Sequence, residues 1–285
     1  MPDARSAPTV GHIVLGLRLR DLRERAGLGF DQAAEALSVN PTTVRRMEKA
    51  EVGLKPVYVE KLLQVYGTEP DERLAFLERV GEVNGPGWWH RYRDLLPGGF
   101  GQLVSLEGSA SLMRAYEPHC VPDLLQTDDY ARALLRVRFP CASEEELERR
   151  LALRAERATV LTGSAPARLW AVVDETVLRR PVGDRATMQR QLDGLAAMTE
   201  LPHVAVQVLT FSSGAHPGTT GPFLLFRFDI PELPDLVYAE NPTDAVCHDS
   251  DTDTSVYRAL LDRMCAQAAP LSETGRILRE ARRAL

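Results

Sequence analysis

The sequence predicts an α+β chain: an all-α, five-helix unit over residues 10–83, then a mixed unit over 103–285 built on a mainly antiparallel sheet of about five strands with flanking helices. Three observations carry that expectation. Through residue 83 apolar side chains recur at helical spacing, with Gly or Pro punctuating the runs. The pattern stops between Gly81 and Gly101, GEVNGPGWWHRYRDLLPGGFG, where glycine, proline and an aromatic–basic cluster mark a linker over 84–102. Beyond it, short runs rich in Val, Leu, Phe and Tyr, bounded by Gly, Pro and Asp, are interspersed with helical segments. At 285 residues, 44% hydrophobic, the chain has material for two cores.

The first helix is expected from about Ile13 to Ala26, with Leu15, Leu19 and Leu22 on its buried stripe and Arg18, Arg20, Arg23 and Arg25 among its exposed positions. Gly27 ends it, since glycine accepts the left-handed backbone of a helix terminus. Phe30, Ala33, Ala34 and Leu37 then fall at i, i+3, i+4 and i+7, one apolar face of a short second helix. Ser38-Val39-Asn40 breaks that pattern. Asn40 can cap the next helix, and Pro41 suits its first position, where a missing N–H costs nothing. Val44 and Met47 face inward, and the small Ala34 lets the two helices cross steeply at the corner. Pro56 opens a fourth helix through Tyr66. Pro70-Asp71-Glu72 opens a fifth to about Val83, with Leu74, Leu77 and Val80 for the core.

Opposite Val44 and Met47, the third helix carries Thr42, Arg45, Arg46 and Lys49 with no acid among them. Glu48 lies toward the inner edge, placed to pair with Arg25 or Arg45 and orient the helix. A solvated charged face is the bland explanation of such a stripe. The sharper one is a reader of the DNA major groove, which admits a helix presented on a tight turn. Thr42 would touch a thymine methyl or a phosphate, and Arg46 would fork onto guanine O6 and N7. Arg45 and Lys49 would contact phosphates, and Gln32, Asn40, Pro41 and Thr43 complete the expected interface. Net charge is −6, and residues 1–85 hold 12 Lys/Arg against 13 Asp/Glu, so the basic character is local. Weak, salt-sensitive non-specific binding follows.

With these residues in view, positions 12–67 resemble the lambda-repressor-like, xenobiotic-response-element type of DNA-binding domain, through Ala34, Val39, the Asn40 cap, Val44, Met47, Glu48 and the loop into Pro56. The chain departs from that pattern at three places. Phe30 stands where many relatives carry a phosphate-binding glutamine and cannot hydrogen-bond a phosphate, so that anchor is either lost or replaced by Gln32. Ser38 replaces the usual glycine of the turn, and Ala50 the glycine that often ends the recognition helix.

In the second unit, helices are expected at 105–117, 127–137, 143–160, 185–199, 253–268 and 272–284, the last two separated by Pro270. Thr127 caps the second of these ahead of Asp128 and Asp129, and Ser143 with Glu146 reads as a capping box for the third. Strands are expected at Arg168–Val173, His203–Leu209, Phe223–Phe228, Asp235–Tyr238 and Ala245–Cys247, the last three as an antiparallel meander. Trp88 and Trp89 read either as a cap on the second unit's core, the favoured reading, or as part of a connector that touches DNA or presses the reader against the second unit. Gly98-Gly99-Phe100-Gly101 is no phosphate loop, because no Gly-Lys-Ser/Thr follows.

Five ordered segments, VPDLLQTDDYARALL, DETVLRR, QLDGLAAM, HVAVQVLTFSSGAHPGTTGPFLLFRF and PDLVYAE, resemble a large actinobacterial group of helix-turn-helix regulators with a C-terminal domain of unknown function, the WhiJ-like or antitoxin-like regulators. That resemblance implies transcriptional control and a small acidic partner protein from a neighbouring gene. An antitoxin-like role, chiefly binding that partner, is the alternative it leaves open. Asp174, Glu175, Arg179, His216 and Glu240 are the candidate effector or partner site, with Arg180 beside them. A loop that merely connects strands is the plainer account of Ser212–Gly221.

Other classes find little support. Asp174-Glu175 and the nearby Ser212, Ser213 and His216 form no nucleophile elbow or HExxH pattern, so an enzyme is not expected. Cys120, Cys141, Cys247 and Cys265 form no CxxC pair and are expected as reduced thiols. His119-Cys120 and Cys247-His248 would have to converge to hold a metal, so neither metal nor cofactor is expected. Residues 1–9 read as a disordered tail without a signal sequence, and no apolar run spans a bilayer, which points to the cytoplasm.

Overall fold

A computed structural model describes residues 9–85, 87–96, 100–231, 233–240 and 245–285. The expected tail, Thr9 apart, and the Gly98-Gly99 pair lie outside the described residues. The chain divides into two compact units, residues 1–109 with 230–233, and residues 110–229 with 234–285.

In the first unit, α1 (Val10–Arg25), α2 (Phe30–Leu37), α3 (Pro41–Glu48), α4 (Pro56–Val65) and α5 (Pro70–Val83) follow the expected order. Proline occupies the opening position of α3, α4 and α5, where its fixed φ is pre-set for a helix. The core joins Leu15, Leu19, Ala33, Ala34, Val44, Met47, Leu62, Leu63 and Phe76. Leu74 is not in it but 63% exposed, because Phe76 and Val80, four apart, set the inward phase of α5. Arg23, expected at the surface of α1, is buried.

A sixth helix, α6 (Phe100–Ser109), is grouped with this unit. The Val10 N–H donates to Ser105 Oγ at 2.7 Å, a contact across 95 positions that ties α6 to the start of α1. Trp88–Tyr92 forms a 3-10 turn in the same unit. Both tryptophans are thus grouped with the first unit. Trp88 stays 41% exposed and meets Trp89 and Tyr92 edge-on, at 6.0 and 6.4 Å between ring centres.

The second unit is a six-stranded mixed sheet in the order β3-β2-β1-β4-β5-β6, with β1 (Leu112–Glu117), β2 (Arg168–Asp174), β3 (Val204–Leu209), β4 (Phe223–Arg227), β5 (Leu236–Glu240) and β6 (Ala245–His248). β1 pairs in parallel with β2, and β2 with β3, while the β1–β4, β4–β5 and β5–β6 pairs are antiparallel. The meander of the last three strands is as expected. β1 is the correction, since residues 105–117 were expected to be one helix. The small run Gly108-Ser109-Ala110-Ser111 stops α6, and the next six residues gain two ladders, Met113 opposing Leu169 on one side and Phe226 on the other.

Around the sheet lie α7 (Asp128–Arg138), α8 (Glu144–Ala158), α9 (Glu175–Arg179), α10 (Arg185–Thr199), α11 (Asp251–Gln267) and α12 (Leu271–Ala284). Leu261 and Met264 of α11 pack on Tyr116, Val172, Phe223, Leu225 and Val237, which share one sheet face. Thr127 precedes α7 without capping it. Its N–H and hydroxyl donate to Gln191 Oε1 at 2.7 and 3.2 Å, and the Gln191 amide donates to Leu125 O at 2.9 Å. Ser143 does cap α8, accepting from the Glu146 N–H, but the Glu146 carboxylate turns to Arg150 and leaves the box half made. The outer edge of β3 is closed by the chain itself, with Ala269 N–H to Val208 O at 2.9 Å and Thr274 Oγ1 to Val206 O at 2.6 Å.

Candidate nucleic-acid interface

The α2–α3 corner is built from backbone geometry outward. Ser38 adopts a left-handed φ of 54°, which lets Val39 N–H reach Ala34 O at 3.1 Å and ends α2. Asn40 Oδ1 accepts from Thr42 N–H at 2.9 Å, and Thr43 N–H closes the first turn on Asn40 O at 2.7 Å. Asn40 and Pro41 therefore start the helix. At the other end Ala50 takes φ 53°, and Glu51 N–H bonds Arg46 O at 2.8 Å. The two non-glycine residues with positive φ among the described residues thus stand at the two positions where the resembling domains carry glycine.

The orientation of α3 is set by a buried ion pair that the sequence did not reveal. Glu48 binds neither Arg25 nor Arg45. Its Oε1 and Oε2 accept from Arg23 Nε at 2.6 Å and Nη2 at 2.9 Å, and Arg23 Nη1 donates to Leu28 O at 2.9 Å. The two side chains are 7% and 3% exposed, and Arg25 pairs instead with Asp21, one turn back on α1. Hydrogen bonding to Glu48 raises the Arg23 pKa, which keeps the guanidinium charged inside the unit. Burial, reinforced by the Glu48 charge, pushes the Tyr66 phenol up. Gly16 completes the contact: a Cβ built there would lie 2.5 Å from Glu48 O, so α1 and α3 meet backbone to backbone. An isolated glycine inside the α1 pattern was the available signal for that approach.

This framework turns Thr42, Arg45 and Lys49 outward, all exposed, with Arg46 half-buried and 3.5 Å from Glu51. Thr43 is half-buried beside them. Gln32 is exposed, but its Oε1 accepts from Gly29 N–H at 2.8 Å, so its carbonyl serves the cap of α2. Phe30 lies against two cations, with the Arg23 and Arg45 guanidinium carbons 4.2 and 5.0 Å from its ring centre.

The second group of candidate residues sits at one end of the sheet but on two faces. Asp174 follows Trp170 and Val172 onto the face covered by α11, whereas Glu240 follows Leu236 and Tyr238 onto the other. Asp174 Oδ1 caps α9 through Thr176 N–H at 2.8 Å, and its Oδ2 lies 3.4 Å from His216 Nε2. His216 Nδ1 accepts from Gly218 N–H at 3.2 Å, which leaves the neutral ring's proton on Nε2, toward Asp174. Tyr116 meets the His216 ring edge-on at 5.9 Å. Glu175 binds Arg179 at 3.0 Å and Phe211 N–H at 3.0 Å. Ser213 Oγ donates to Gln267 O, and Arg180 Nη1 to His119 O. These bonds fasten the 210–222 connection over the ends of β1 and β2.

On the opposite face Glu240 pairs with Arg138 at 2.9 Å. Glu117, at the end of β1, accepts from His119 N–H, and burial raises its pKa to about 7. Burial likewise pushes the Cys120 thiol up, and the Cys247 thiol up to about 12. Among the described residues no three His, Cys, Asp or Glu side chains group as metal ligands, and no helix is long and apolar enough to cross a membrane.

The profile of a helix-turn-helix domain, the mark of DNA-binding regulators, matches residues 14–76, which encloses α2, α3 and the Arg23–Glu48 pair. The profile of a domain of unknown function, DUF5753, matches residues 100–280, from α6 into α12. Neither the curated proteins nor the solved structures contain a match. Because the second match spans more than half of the chain, the protein belongs to the DUF5753 family and carries a helix-turn-helix domain ahead of that region.

Proposed function

We propose that the chain is a dimeric, sequence-specific transcriptional regulator whose α3 enters the major groove. The observation that carries this reading is the outward stripe of Thr42, Arg45, Arg46 and Lys49 on a helix whose inner edge is locked to α1 by the buried Arg23–Glu48 pair. A dimer would set two such helices about 34 Å apart on a pseudo-palindromic operator. Arg46 is assigned to a base edge and Lys49 to a phosphate, with Thr42 at the groove floor.

Two substitutions test the assignment. Arg46→Ala should cost about 1–3 kcal/mol at one base position and relax specificity there. Lys49→Ala should weaken all sites alike and lower the salt slope by about 0.9. Operator titrations in which the two variants behave identically refute the division of roles. For the second unit the reading is regulatory and non-enzymatic, with a partner protein or small effector shifting DNA affinity by about 1–3 kcal/mol. Footprinting of the chain's own promoter with and without the neighbouring gene's product tests that part. An unchanged footprint argues against the partner.

A further inference from the structure

Resting on the reading of α3 as the DNA-contacting helix, we propose that Phe30 is a positioning residue: its ring holds the Arg45 guanidinium in the orientation in which it meets a DNA phosphate.

The ring is fixed from one direction. Arg23, 4.2 Å from its centre, is tied by two bonds to Glu48 and a third to Leu28 O, so it cannot follow a tilting ring without breaking buried bonds. Phe30 itself is half-buried against the core of the first unit. The second cation on that ring is of another kind. Arg45 lies 5.0 Å from the ring centre on the exposed stripe, and among the described residues no carboxylate pairs with it. Glu48 neutralises Arg23, so the uncompensated positive charge at the ring is that of Arg45. Arg46, by contrast, already has Glu51 within 3.5 Å.

Contact with a ring suits phosphate recognition because the ring attracts the guanidinium charge without consuming its N–H donors, which stay available for oxygen acceptors. It also restricts a long side chain before DNA arrives, which reduces the ordering penalty of binding. An aliphatic residue at position 30 would fill the same space without attracting the cation.

The test uses the full chain and a duplex selected by the wild-type protein from a random library, with dissociation constants read by fluorescence anisotropy. Phe30→Leu should weaken binding about three- to tenfold, and Arg45→Ala by at least as much. In the Arg45→Ala background Phe30→Leu should have no further effect on affinity, while Phe30→Trp on its own keeps wild-type binding. Thermal unfolding of the same variants separates stability from positioning, since a merely structural Phe30 would weaken the Arg45→Ala chain as much as the wild type. Additive effects of the two substitutions, or wild-type affinity in Phe30→Leu, overturn the positioning role alone. Failure of the wild-type chain to select any duplex overturns the DNA-reading assignment and this role with it.

Discussion

Replacing Gly16 with alanine should damage the α1–α3 contact, whereas the same change at Gly81 should help. In an exposed helix interior, Gly→Ala is worth about 1 kcal/mol of added stability. Gly81 offers that gain unopposed: it is exposed on α5, and an added Cβ meets nothing within 4 Å. At Gly16 the added Cβ would stand 2.5 Å from Glu48 O and 3.1 Å from Met47 O, closer than carbon and backbone oxygen tolerate. The two helices must separate by several tenths of an ångström. Overpacking of this kind costs about 1–3 kcal/mol. The same displacement stretches the Arg23–Glu48 bonds, whose outright loss would cost about 3–5 kcal/mol. Net destabilisation of about 1–3 kcal/mol is therefore expected after the helix-propensity gain. Amide hydrogen exchange reads it locally: protection in α1 and α3 should fall in Gly16→Ala and rise in α5 of Gly81→Ala. DNA affinity should drop only in the first variant. A Gly16→Ala chain as protected as wild type, with unchanged DNA binding, refutes the backbone-to-backbone approach.

Two further expectations concern backbone and charge. Ser38→Gly should stabilise the first unit by about 0.5–1 kcal/mol, because an exposed serine holds a left-handed φ of 54° there. Ala50→Gly should be close to neutral, since its φ of 53° is relieved only by giving up a buried methyl worth about 0.8 kcal/mol. Chemical denaturation of both variants decides this, and equal effects contradict it. Glu117, lifted by burial from 4.5 to about 7, binds more proton folded than unfolded between those values. Its contribution to stability is thus complete below pH 4.5 and is lost as pH rises through about 7. Glu117→Gln should flatten that limb and stabilise the second unit at pH 8 by roughly 1–3 kcal/mol. Unfolding curves of wild type and variant that stay parallel from pH 5 to 8 would dismiss the assignment.

The parts of the fold legible in the sequence are those decided by neighbours in the chain. The α2–α3 corner is specified by the spacing of Phe30, Ala33, Ala34 and Leu37, the Asn40 cap and Pro41, all within a dozen residues. What was missed depends on residues far apart. Arg23 reads as a surface cation until Glu48, 25 positions on, arrives to bury it. Arg114 makes β1 look unlike a central strand, because the partner that neutralises it, Asp262, lies on α11 at 2.7 Å. A short strand flanked by parallel and antiparallel neighbours has no periodic signature of its own, so in the sequence the helical run before it reads on through it. In the candidate site, the exposed stripe of α3 was readable from helical phase. The separation of Glu240 from Asp174 and His216 was not, because it follows from strand parity across a six-strand order.

The bonds from Ala269 and Thr274 that seal the β3 rim set that edge of the sheet apart from the β6 edge, where among the described residues no such bonds are seen. A foreign strand seeking backbone partners finds the acceptors at Val206 and Val208 already taken, and must add at the four-residue β6 instead. Asp249, Asp251 and Asp253 follow that strand closely and would repel an identical copy approaching it. Among the described residues, strand templating would therefore have to begin at β6, past that like charge, and high salt, which screens it, is the condition that should ease the way.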